Sequence, residues 1–155
     1  MMHDTRNAKA SYALIRLLRP LYKQLEKAVQ ERLKPYGHSV IDRAVLEALH
    51  PDHSKTVPQI AHELMVERQF IQRTVNELRS EGWVRRLTNP HHKRSFLFQL
   101  TPSGRDRIEE ILQAEHTVLA EIMGDIPLDD IHTARTVLQH LATSFTQLNK
   151  EASHD

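Results

Sequence analysis

The sequence predicts a mainly α-helical chain built around two short central helices and one two-stranded β-hairpin. Three observations carry this. Long segments towards both ends hold apolar residues at three- and four-residue spacing, the helical period. Near the middle, two short apolar stripes are separated by only a few residues. After them come two β-prone runs on either side of a turn-rich tip, the pattern of a hairpin.

The first helix is predicted over Ser11 to Leu33, with Leu14, Leu17, Leu18, Leu21, Leu25, Ala28, Val29 and Leu33 as its stripe. Pro20 lies inside it and should kink the helix or mark a restart. Lys34-Pro35-Tyr36-Gly37 ends it. Ser39-Val40-Ile41-Asp42 opens a second helix whose core side continues through Val45, Leu46 and Leu49. A loop from His50 to Lys55 follows.

The central pair begins at Thr56-Val57-Pro58-Gln59, where a capping residue precedes Gln by three positions, the spacing of a capping box. Proline is tolerated this early because the first N–H groups of a helix have no intrahelical partners. Ile60, Ala61 and Leu64 form the stripe, and Met65-Val66 leads into the next helix. At about 100° per residue, Ile71, Val75 and Leu78 fall on one side of that helix, with Thr74 at the edge. Gln69, Gln72, Arg73, Asn76 and Ser80 fall on the other side. A solvated face is usually Lys, Glu and Arg of mixed sign, whereas Arg, Gln and Asn can pair with base edges in a DNA major groove. Phe70, beside that face, is expected to pack.

Ser80-Glu81-Gly82 should end the helix, with Gly82 in the left-handed cap position. Trp83 to Thr88 and Ser95 to Leu100 read as strands joined by Asn89-Pro90-His91-His92-Lys93-Arg94, a basic tip. Trp83 is expected in the core. Two short helices, the second with a polar readout face, followed by a basic hairpin, make a winged helix-turn-helix.

The pattern Ile60-Ala61, Leu64, Ile71, Arg73, Val75, Leu78 and Glu81-Gly82-Trp83-Val84, then Asn89-Pro90, Lys93-Arg94, Leu100-Thr101 and Gly104, resembles the MarR family of transcriptional regulators. The likeness covers the middle third of the chain closely and the flanking helices in pattern. Two positions depart from the family. Glu67 stands where a small hydroxyl residue usually caps the recognition helix, and His92 stands where the wing usually carries Asp two residues before its arginine.

Thr101-Pro102 starts the next helix, which should run to about Met123 with Ile108, Ile111, Leu112, Val118, Leu119, Ile122 and Met123 as its stripe. Gly124-Asp125-Ile126-Pro127 breaks it. Leu128 to Leu148 then places Ile131, Ala134, Leu138, Leu141, Phe145 and Leu148 on one seam. The resulting organisation is an N-terminal dimerisation helix (1–36), a winged helix-turn-helix DNA-binding region (37–104) and C-terminal dimerisation helices (105–155). The first helix and the last two are longer than a winged helix needs. They pack on each other in a monomer or interdigitate across a two-fold axis. The resemblance favours the homodimer, since terminal helices form the dimer in MarR proteins.

The chain has 155 residues, of which 39% are hydrophobic and 26% charged, an ordinary soluble composition. No apolar run approaches a membrane span and no apolar signal region opens the chain, so no membrane partner and a cytoplasmic location are expected. With no cysteine, disulfides and thiol switching are excluded. The formal net charge is only +1, but its distribution is uneven. Between residues 67 and 94 lie Arg68, Arg73, Arg79, Arg85, Arg86, Lys93 and Arg94 against three glutamates, while residues 109–131 hold seven acidic residues and no Lys or Arg. Phosphate should approach the basic centre.

The candidate DNA contacts are therefore Arg68, Gln69, Gln72, Arg73 and Asn76 on the recognition helix and Lys93 and Arg94 on the wing. The partner is double-stranded DNA carrying a palindromic operator. By resemblance, a small aromatic or anionic effector would bind between the dimerisation helices and the winged helix, with Arg16, Tyr36 and His38 as candidates. Eleven histidines raise the question of a metal. His62-Glu63 begins an H-E-x-x-H pattern, but Val66 stands where its second histidine belongs, His91-His92 would diverge, and nothing requires His38, His50, His53 and His116 to converge. No paired carboxylates, nucleophile elbow or glycine-rich phosphate loop points to an enzyme or a cofactor. The sequence thus reads as a dimeric repressor released by a ligand, with a metal-gated regulator of the same fold and a protein-binding helical module as alternatives.

Overall fold

The computed structural model describes residues 5–92 and 94–152. Helix α1 (Thr5–Leu33) is followed by a 3₁₀ turn (Lys34–Tyr36), then α2 (Val40–Leu49), α3 (Val57–Leu64) and α4 (Arg68–Ser80). Strands β1 (Val84–Thr88) and β2 (Phe96–Leu100) precede α5 (Pro102–Met123) and α6 (Leu128–Ala152). The chain divides into two compact units, one ending at Ile111 and the other starting at Leu112.

In the first unit, α1 passes through Pro20 without a restart and begins at Thr5, earlier than its apolar stripe suggested. Proline removes one backbone donor there, and the remaining turns carry the helix on. Gly37, at φ +70°, closes the 3₁₀ turn. Ser39 then starts α2 with a full capping box: its Oγ accepts from the Asp42 N–H, and the Asp42 carboxylate accepts from the Ser39 N–H at 2.8 Å.

The core gathers Val45, Leu46 and Leu49 of α2, Ile60 of α3, and Ile71, Val75 and Leu78 of α4. Val84, Phe98 and Leu100 of the hairpin and Ile108 and Ile111 of α5 complete it. Each fully buried aliphatic side chain contributes roughly 1.5–3 kcal/mol relative to exposure. Trp83 is half-buried rather than a core residue. His38 is buried and meets the Trp83 ring edge-on at 5.4 Å. Arg107 of α5 lies over both Trp83 (4.9 Å) and Tyr36 (5.6 Å).

In the second unit, α6 has no buried residue. Leu138, Phe145 and Leu148 are 42%, 48% and 57% exposed, and Ile131 and Leu141 are partly covered. Helix α1 likewise buries only Leu33, leaving Leu17, Leu21 and Leu25 exposed. Among the described residues, no helix is long and apolar enough to cross a membrane.

Candidate nucleic-acid interface

The orientation of α4 is set by the caps around it. Thr56 Oγ1 accepts from the Gln59 N–H, and Gln59 Oε1 accepts from the Thr56 N–H at 2.8 Å, which closes the capping box and starts α3. Helix α3 ends at Met65, a non-glycine residue at φ 54°, and the Val66 N–H reaches back to the Ala61 carbonyl at 3.0 Å. This left-handed turn re-aims the chain within three residues. Glu67 caps α4 with backbone alone, its carboxylate making no capping hydrogen bond, so the charge serves only the helix dipole.

Along α4 the buried line is Ile71, Thr74, Val75 and Leu78. Thr74 lies within this face, where its hydroxyl donates to the Phe70 carbonyl at 3.0 Å and so satisfies itself locally. Arg68, Gln69, Gln72, Arg73 and Asn76 are all exposed. Gln72 donates to Asn76 Oδ1 at 3.3 Å, one turn apart. Phe70 corrects the expectation of packing: it is 39% exposed, and the Arg73 guanidinium stands 5.3 Å from its ring centre. At the far end, Gly82 (φ +87°) and Trp83 close a Schellman motif, their N–H groups donating to the carbonyls of Arg79 and Leu78.

The hairpin pairs Val84 with Leu100, Arg86 with Phe98 and Thr88 with Phe96. Lys55, just before the α3 cap, adds a bridge to Phe98 through two backbone hydrogen bonds of 3.0 and 2.8 Å. The wing is therefore tied to the start of the helix-turn-helix. Its two adjacent arginines point to opposite faces, as alternation along a strand requires. Arg85 donates twice to Gln99, while Arg86 lies over the Phe96 ring at 4.0 Å.

Between α4 and the wing opens a concavity of about 740 Å³. Arg68, Gln69, Gln72 and Asn76 line one wall, and Arg94, Ser95 and Phe96 line the other. Of the residues singled out in the sequence, the structure brings these four helix residues and Arg94 together. Arg73 lies on the adjoining exposed flank, and Lys93 lies outside the described residues. Arg79 and Arg86 also line the concavity and were missed. Arg79 continues the Gln72–Asn76 stripe one turn on, so its spacing carried the signal; for Arg86 only the strand alternation did. Four guanidinium groups and three amides around one open surface suit a polyanion that also presents hydrogen-bonding edges.

A second cleft, of about 680 Å³, opens between α1 and α2, lined by Tyr22, Glu26, Lys34, His38 and Ser39 with Leu64 and Val66. Of the three effector candidates only His38 lines it. Tyr36 is instead engaged by Arg107. Arg16 lies on exposed α1, about 25 Å along the unbroken helix from Leu33, so the expected trio does not form within one chain. Both His38 ring nitrogens are buried without a hydrogen-bond partner. Burial holds its pKa below the ordinary 6.5, with Arg107 acting in the same direction and Asp42 and Glu81 opposing. Among the described residues, no three His, Asp or Glu side chains are grouped to hold a metal ion.

Residues 37–95 match the model of the MarR family. The uncharacterized HTH-type transcriptional regulator YwoH of Bacillus subtilis is 30% identical over 119 residues, which span 74% of this chain and 86% of YwoH. A crystal structure of a MarR family transcription regulator superposes with a TM-score of 0.82 at 31% identity, covering 95% of this chain and 97% of the other. A mutant MarR from E. coli complexed with operator DNA gives a TM-score of 0.71 at 25% identity, covering 83% and 93%.

Proposed function

Because the chain belongs to the MarR family of transcriptional regulators, we propose that it binds operator DNA as a homodimer and represses transcription by occupying a promoter. The observation that carries this is the concavity between α4 and the wing, with amides and guanidinium groups on facing walls. Gln69, Gln72, Arg73 and Asn76 read base edges in the major groove, and Arg68 holds a phosphate. Arg94 and Lys93 reach the neighbouring minor groove or backbone. The E. coli relative captured with operator DNA supports the DNA-binding reading.

The dimer rests on a physical argument. The open apolar stripe on α1 and the one on α6 are each of a kind that a soluble monomer seldom leaves in water. A second copy covers them and supplies a second recognition helix, which suits a palindromic operator. The terminal segments 1–36 and 105–155 would then be the dimerisation helices around the DNA-binding region 37–104.

A small aromatic or anionic effector is a second element of the proposal, favoured by the cleft where Lys34, Tyr22 and His38 face one space. Its occupation next to Leu64 and Val66, which flank the α3–α4 turn, would bias the recognition helix. Light scattering joined to DNA titration tests the whole reading. The wild-type protein should be a dimer at micromolar concentration, and Leu138→Asp/Leu141→Asp should give monomers that keep weak, salt-sensitive binding but lose specific affinity. A monomeric wild type, or full specific affinity in the double variant, would overturn it.

A further inference from the structure

The wing tip joins the end of β1 at Thr88 to the start of β2 at Phe96, and Arg94 belongs to it. Such tips are held by local hydrogen bonds or not at all, because strand pairing stops at Thr88–Phe96. Here the holding group is a buried amide. Asn89 is 7% exposed, its Oδ1 accepts from the His91 N–H at 3.0 Å, and its Nδ2 donates to Ser95 Oγ at 3.1 Å. The backbone adds two further links, from His92 N–H to the Asn89 carbonyl at 3.3 Å and from Ser95 N–H to the His92 carbonyl at 3.1 Å. One side chain thus joins the departing strand to the returning one, directly beside Arg94.

We propose that Asn89 is the positioning residue of the wing, fixing the tip so that Arg94 faces α4 across the concavity. The inference rests on the DNA-binding reading above and deepens it. Both polar ends of a buried amide must be satisfied, so its two partners are fixed together, and losing either frees the tip. Aspartate would preserve the arrangement, since its oxygen still accepts from His91 and the Ser95 hydroxyl can turn to donate.

The test measures binding of the full-length protein to a fluorescein-labelled mixed-sequence DNA duplex across a salt series. It compares wild type, Asn89→Ala, Arg94→Ala, the double variant and Asn89→Asp, with thermal unfolding as a check on folding. Asn89→Ala should weaken binding roughly tenfold and make the salt slope shallower by about one, as Arg94→Ala does. The double variant should be no weaker than the weaker single one, and Asn89→Asp should bind more tightly than Asn89→Ala. Ser95→Ala, which removes one arm of the link, replaces Asn89→Ala if that protein fails to fold, with the same coupling expected. A product of the two single effects in the double variant, or wild-type affinity in Asn89→Ala, overturns the inference and leaves the functional reading standing. A wild-type protein that binds no duplex overturns both.

Discussion

The His38 imidazole meets the Trp83 indole edge-on, with ring centres 5.4 Å apart and planes at 73°. This contact joins the start of α2 to the start of the wing, and it is built for a neutral histidine. Burial and Arg107 lower the His38 pKa from 6.5, against the smaller opposing pull of Asp42 and Glu81. The unfolded chain therefore takes up this proton first as pH falls, and stability drops as pH passes down through about 6.5 towards the folded-state value. Thermal unfolding between pH 7.5 and 5.5 should show a smaller loss for His38→Leu than for wild type. Parallel losses would show that His38 does not report pH.

Helix α5 starts hard against the same tryptophan. A Cβ at Gly104 would stand 1.9 Å from the Trp83 carbonyl oxygen and 2.9 Å from its carbon. Thr101 fixes this approach: its N–H donates to the Trp83 carbonyl, and its hydroxyl donates to the Gly82 carbonyl at 2.7 Å while accepting from the Gly104 N–H. Because both sides of the contact are backbone, neither can rotate away. Gly104→Ala should destabilise the protein by about 1–3 kcal/mol or more, the usual scale of overpacking, lowering its melting temperature. An unchanged melting temperature would mean that the helix start can slide.

The fold was legible because its determinants are local. The capping boxes at Ser39 and Thr56, the glycines at 37 and 82, and the apolar periodicity of α2 to α4 each name an element edge or face. The exposed polar face of α4 followed from the same periodicity. What escaped was set across the chain. Arg86 joins the concavity through strand alternation and the Phe96 ring, Phe70 gives its ring to Arg73, and Arg107 occupies Tyr36. Arg16 was named with Tyr36 and His38 from resemblance alone, and the continuous helix α1 carries it away from them.

Arg73→Ala should lose discrimination at one base pair of each half-site, by about 1–3 kcal/mol. Phe70 holds the guanidinium over its ring, which limits the freedom lost when it meets a base. Titration against an operator and its single-base variants measures this. Affinity and preference both equal to wild type would remove Arg73 from the readout.

Adjacent arginines on β1 supply an internal control. Arg86→Ala, in the concavity, should weaken binding to all duplexes alike and make the salt slope shallower by roughly one, as for a lost phosphate contact. Arg85→Ala, on the opposite face and paired with Gln99, should leave the slope unchanged. Equal effects from the two would contradict the placement of DNA along the concavity.

Two copies of α4 should read one DNA site together. Selection of bound duplexes from a randomised pool, followed by footprinting of the enriched site, measures this. The enriched site should be an imperfect inverted repeat whose half-site centres lie about 10 base pairs apart or a multiple of that, protected by one dimer. Enrichment of a single, unrepeated half-site, or no enrichment above the starting pool, would mean that the two helices do not read DNA as a pair.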